Sequence, residues 1–193
     1  MLRRLYDWTL AKAAGPGAER WLMGISFADS SFFPVPPDVM QIPMSIARPE
    51  RSLRYAGLST AASVAGALLG YAIGSVLYQT VGVPLLDFYG YQDKFVSFAA
   101  DIKANGFLWM LAFAFLPIPY KVATIAAGSV SLSIPVLIAA SILGRGGRFF
   151  LVALVLRRFG AKAQELIDRY FNTLALAATV LFVGGFVVVR YAF

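Results

Sequence analysis

Five ionisable residues, Asp29, Asp38, Lys121, Arg145 and Arg148, fall inside otherwise apolar stretches of the chain. A charged side chain at the centre of a bilayer costs about 2.5–3.5 kcal/mol on insertion scales. Five such residues are therefore expected to face inward, toward one another, water or a ligand. Arg145 and Arg148 are three residues apart and so share a helix face. Three cations against two carboxylates leave one positive charge unmatched. A set of buried salt bridges that only fixes the fold is one reading, but a dry core does not favour an extra charge. A wet cavity that admits an anion does. Guanidinium groups hold phosphate through paired hydrogen bonds, and a desolvated carboxylate can take up a proton. The chemistry expected is binding of an anionic, phosphate-bearing ligand, with protons as a candidate second partner.

The elements that must position these charges show a short repeat. Phe32-Phe33-Pro34-Val35-Pro36-Pro37-Asp38-Val39 returns as Phe115-Leu116-Pro117-Ile118-Pro119-Tyr120-Lys121-Val122. Both copies interrupt an apolar run with Pro-x-Pro, and both place a charge two residues after the second proline, negative in the first and positive in the second. Interior prolines remove helix hydrogen bonds and clash with the preceding turn. Pro34, Pro36, Pro117 and Pro119 are thus expected to break two helical hairpins. Paired broken segments in two halves of a membrane protein point to a transport site.

Composition agrees with a membrane setting. The 193 residues are 59% hydrophobic, against the 45–50% of an ordinary soluble domain, and the mean hydropathy is +0.71. The chain has no cysteine and no histidine. This excludes disulfides, thiol nucleophiles, Cys or His metal ligands and histidine acid–base chemistry. No metal or other cofactor is expected. The formal net charge is +7, but no basic face with interleaved aromatics points to nucleic acid. Basic loops on the cytoplasmic side account for it better.

Along the chain, residues 1–20 read as a basic amphipathic segment lying on or entering the membrane, not as a cleavable signal, broken near Gly15-Pro16-Gly17. Residues 21–78 form a first half, a re-entrant hairpin followed by an uncharged span over 55–78. Residues 79–106 are polar and suggest a helix at the membrane surface. Residues 107–156 form the second half, a hairpin over 107–131 and a span over 134–156 interrupted at Gly144-Arg145-Gly146-Gly147-Arg148. Residues 173–193 hold a last transmembrane helix. Gly66, Gly70 and Gly74 recur every fourth residue, as in close helix packing; Pro43 and Pro135 read as punctuation between segments. Residues 1–20, 48–54 and 157–169 hold eleven of the 17 Lys and Arg. The positive-inside rule puts them in the cytoplasm and 79–106 outside. The fold expected is an all-α integral membrane protein of one domain. Two re-entrant hairpins enter from opposite faces, joined by about three transmembrane helices in an inverted-topology repeat.

Asp29, followed by Pro34-x-Pro36-x-Asp38, resembles the acidic first-hairpin motif of the DedA (SNARE-associated, VTT) membrane proteins. Pro117-Ile118-Pro119-Tyr120-Lys121, leading to Ala127-Gly128, resembles their second-hairpin motif. The match is nearest the YqaA-like bacterial branch and covers roughly residues 20–157. The resemblance implies movement of lipids across a bacterial inner membrane, with the N-terminus cytoplasmic, and gives Asp29 and Asp38 the place of the family's acidic pair. It also implies arginines around the first proline of the second motif. Ala114 and Tyr120 occupy those places here, Lys121 is one residue further on, and Arg145 and Arg148 are candidates for the missing charge.

The function expected is a flippase or scramblase for a phospholipid or polyprenyl phosphate, with a proton as candidate coupling ion. The substrate and proton site comprises Asp29, Asp38, Lys121, Arg145 and Arg148. A proton-coupled carrier for a small soluble solute and a non-transporting membrane scaffold are the alternatives. An enzyme is not expected, because neither histidine, cysteine nor a dense aspartate motif for two metals is present. The partners expected are membrane lipids with anionic or phosphate headgroups; a homo-oligomer is compatible with the sequence.

Overall fold

The computed structural model describes residues 15, 17–32, 35–84, 92–115, 120–160 and 162. Pro34, Pro117, Pro119, residues 1–14 and the expected C-terminal span 173–193 lie outside the described residues. Every regular element among the described residues is helical: α1 (Ala18–Asp29), α2 (Asp38–Ala47), α3 (Ser52–Leu77), α4 (Gln92–Phe115), α5 (Tyr120–Ser129) and α6 (Ile134–Ser141). A 3-10 turn, Pro49–Arg51, leads into α3, and a π turn, Tyr78–Gly82, follows it. A second π turn, Ile142–Gly146, follows α6, and the chain remains helical over 147–160, here α7.

The first apolar run breaks where the prolines require. α1 ends at Asp29, residues 30–32 and 35–36 are non-helical, and Pro37 caps α2. Pro36 lies in this break and is exposed. Pro43 differs from expectation: it lies inside α2 and is buried. It costs α2 one hydrogen bond, to the carbonyl four residues back. Pro135 does punctuate, sitting in the first turn of α6. The polar stretch before residue 107 is helical from Gln92, and the non-helical dihedrals of Asn105 (φ −125°, ψ 28°) kink it away from the apolar helix that continues to Phe115.

Helix α3 is the axis of the described fold, with α1 and α5 packed along it. Its small residues make this approach possible. A Cβ at Gly66 would collide with the Phe27 carbonyl of α1, and one at Gly74 with the Ile125 carbonyl of α5. At Gly70 it would meet Thr124 Oγ1 of α5, and at Gly128 of α5 the Tyr71 carbonyl of α3. The four-residue glycine spacing therefore sets backbone-to-backbone contact on two sides of one helix. α5 closes with Ser131 in the left-handed region at φ 55°. There Leu132 N–H donates to Ala127 O at 2.9 Å and Ser131 N–H to Gly128 O at 3.1 Å, the Schellman pattern of a helix C-terminus.

The buried set mixes apolar side chains, among them Leu22, Met40, Met44, Met110, Leu137 and Phe149, with many polar ones. Serines 26, 30, 31, 45, 52, 59, 63 and 141 are buried, together with Gln41, Thr124, Asp29 and Arg145. Large apolar residues point outward, among them Leu68, Leu69, Val76 and Leu77 on α3 and Phe150, Leu151, Leu154, Val155 and Phe159 on α7. Two helical stretches, Pro49–Thr80 and Ile134–Gly160, are long and apolar enough to cross a membrane.

Candidate functional site

The charged residues expected to converge do so, and they form two pairs. Asp29 is the last residue of α1, where the helix dipole disfavours a carboxylate; it receives Arg145 Nη2 at 2.5 Å. Asp38 opens α2, where the dipole favours a carboxylate; it pairs with Arg148 Nη2. The first pair is nearly dry, with 4% of the Arg145 side chain and 12% of Asp29 exposed. The second is more open, with 29% of Arg148 and 16% of Asp38 exposed.

The π turn explains how α6 and α7 deliver both arginines. One extra residue per turn locally rotates the helix, and such bulges are frequent at functional sites. Gly144 lets the turn lie against α4, where a Cβ would strike that of Ala114, and Gly146 brings it toward Thr60 of α3. Arg145 between them is 3% exposed. The glycines read as an interruption in the sequence thus seat a buried guanidinium while the span stays helical.

Arg145 is held on every side. Its Nε donates to Ser63 Oγ at 2.9 Å, and its guanidinium lies 4.8 Å from the Phe149 ring centroid and 5.4 Å from that of Tyr120. Ser63 Oγ is also 2.5 Å from Ser30 Oγ. Tyr120 is in turn fixed by α6. Ser141 donates to Leu137 O at 2.6 Å, so the Tyr120 hydroxyl donates to Ser141 Oγ, also at 2.6 Å. The two broken segments touch directly, because Thr124 Oγ1 donates to Ser30 O at 3.0 Å. Lys121 is half-buried and makes no ion pair among the described residues, but its charge and that of Arg148 act electrostatically on Asp29. The unmatched positive charge is thus Lys121.

Sequence reasoning missed the polar groups around the pairs. Gln41, three residues after Asp38 on α2, donates Nε2 to Phe149 O at 2.9 Å. Among the described residues its Oε1 is buried without a hydrogen-bond partner, as are Ser45 Oγ and Ser59 Oγ. Other helical serines here, Ser26 and Ser141, return their hydroxyls to the carbonyl four residues back; Ser45 and Ser59 do not. Gln41 and Ser45 share a face of α2, and Ser59 is one turn from Ser63 on α3. These orphan oxygens thus run from the level of the ion pairs toward the start of α3. A four-residue serine spacing beside Gly66 and Gly70 was the available signal in the sequence.

A protein of Haemophilus influenzae described as uncharacterized is 34% identical over 169 residues, 85% of this chain and 87% of its own length. An uncharacterized HI0703 homolog of Histophilus somni is 31% identical over 182 residues, 92% of this chain and 95% of its own. No family model matches the chain, and no solved structure matches it.

Proposed function

The chain belongs to the family of these two proteins, and on that footing we propose that it is a multi-pass membrane carrier that moves a lipid with a phosphate headgroup. The observation that carries this reading is a buried charge cluster at the meeting of two broken helical segments, inside a protein whose large apolar side chains face outward. In water such a surface is unfavourable; in a bilayer it is the expected one. The two long apolar helices are each less than half buried within the described residues, as a lipid-facing span requires.

The two ion pairs divide the work. Arg145 and Asp29 clasp α1, α3 and the π turn together. Asp38, Arg148 and Lys121 form the adjustable part. A phosphate takes the two cations in place of Asp38, Arg148 through paired hydrogen bonds and Lys121 as a point charge. The displaced carboxylate of Asp38 is then the group to carry a proton. The orphan oxygens of Gln41, Ser45 and Ser59 favour a hydrated seam, because a buried oxygen without a partner costs about 1–3 kcal/mol and a bound water removes that cost.

This reading places the protein in the DedA group and in the bacterial inner membrane with its N-terminus in the cytoplasm. It makes the two broken segments re-entrant hairpins of an inverted repeat. Arg145 over the Tyr120 ring then supplies, from the following helix, the positive charge that the resemblance implies near the second proline motif. Reconstitution in liposomes with fluorescent lipids of defined headgroup tests it. Faster equilibration of a phosphate-bearing lipid between leaflets than in protein-free vesicles is expected; equal rates for every headgroup reject transport of lipid.

A further inference from the structure

A second cluster of cations lies at the far end of α2 from Asp38. A cavity of about 310 Å³ opens there beside the start of α3, lined by Arg20, Arg48, Arg51 and Arg54 with Glu19 and Tyr55. Glu19 accounts for one guanidinium, binding Arg54 Nη2 at 2.8 Å. Arg20, Arg48 and Arg51 make no ion pair among the described residues. Tyr55 is 2% exposed, and its hydroxyl has no hydrogen-bond partner among the described residues. The helical stretch that becomes α3 starts at Pro49, and its positive dipole end adds to the same field.

Membrane topology accounts for basic residues at one face, but not for their convergence on a concavity that the otherwise buried Tyr55 also lines. The three unpaired guanidiniums and the phenol are all donors. The complementary ligand is a compact anion with several acceptor oxygens. We propose that this cavity is a phosphate-binding site, taking either the phosphate of an anionic lipid or free inorganic phosphate. It goes beyond the transport reading, since it shares no residue with the central cluster and requires no movement of lipid.

The test is calorimetric titration of the purified full-length protein in a neutral detergent. The probes are dihexanoyl phosphatidic acid, dihexanoylglycerol and inorganic phosphate. Saturable binding of the phosphatidic acid but not of dihexanoylglycerol is expected. Arg48→Gln/Arg51→Gln should weaken it at least about tenfold, since each removes a charge-assisted hydrogen bond. Arg48→Lys/Arg51→Lys should lose less, Tyr55→Phe should weaken it a few-fold, and Lys103→Gln, which removes an exposed charge on α4 away from both sites, should leave it unchanged. Competition by inorganic phosphate at similar affinity identifies the free ion as sufficient, and its failure to compete identifies the lipid form; both support the site. Undiminished binding by a folded Arg48→Gln/Arg51→Gln protein overturns it. So does an equal loss of binding on Lys103→Gln, or no binding of either phosphate probe by the wild type. Vesicle transport is read separately, so either reading can fail while the other stands.

Discussion

Replacing Arg145 by glutamine should destabilise the protein far more than the same change at Arg148. Both substitutions remove one guanidinium from a carboxylate, yet the surroundings differ. Arg145 is 3% exposed and is held by Asp29, Ser63 and two aromatic rings. Breaking a buried pair by removing one partner costs about 3–5 kcal/mol. The carboxylate left behind stands at the C-terminus of α1, where the dipole opposes it. The Arg148 and Asp38 side chains are 29% and 16% exposed, and this part-buried pair lies between that cost and the roughly 0.2–1 kcal/mol of a fully exposed pair. Its carboxylate keeps the favourable dipole of α2. The difference is about 2 kcal/mol, which in a chain of this size corresponds to roughly 4–8 °C in unfolding midpoint. Thermal unfolding of the two purified variants in one detergent, followed by tryptophan fluorescence, measures it. Equal losses, or a larger loss for Arg148→Gln, would refute the division into a structural and an adjustable pair.

Gly74→Ala should destabilise α3 packing by about 1–3 kcal/mol or more, because the new methyl group meets the Ile125 backbone. Gly57→Ala, with nothing within 4 Å of its Cβ position, should be neutral or stabilise by up to about 1 kcal/mol; unfolding midpoints in one detergent separate the two. Ser131→Gly should raise stability by about 1 kcal/mol, because the serine sits at φ 55° where an L-residue is disfavoured by roughly that amount. A lower midpoint for this variant would count against the left-handed C-terminus of α5.

How much of this was legible in the sequence depended on whether the signal was local. Asp29, Asp38, Arg145 and Arg148 stood out because a charge in an apolar run needs a partner, and the structure supplies one to each. Which carboxylate pairs with which arginine was not legible, because α3 separates the pairs in sequence and its glycines decide how closely α1 and α5 approach. The break after Asp29 was local and clear. Pro43 misled because a helix packed on its neighbours tolerates one missing hydrogen bond. The Gly-Arg-Gly-Gly-Arg run suggested an interruption, whereas the glycines serve a π turn that only the neighbouring helices make intelligible. Gln41 carried no local signal, and Ser59 and Ser63 only their four-residue spacing beside Gly66 and Gly70, since a polar residue on a helix acquires meaning from what lies opposite.

The central claim is that the Asp38–Arg148 pair opens to exchange its carboxylate for a phosphate, and one comparison tests it most directly. Lipid equilibration in liposomes is measured for Asp38→Asn, Arg148→Gln and the double variant Asp38→Asn/Arg148→Gln, each verified as folded and inserted. If the pair acts on substrate, each single variant loses transport and the double variant stays inactive, because no guanidinium remains at position 148 to receive the headgroup. Recovery of transport in the double variant would show that the single variants failed only through an unpaired charge, and would contradict the account.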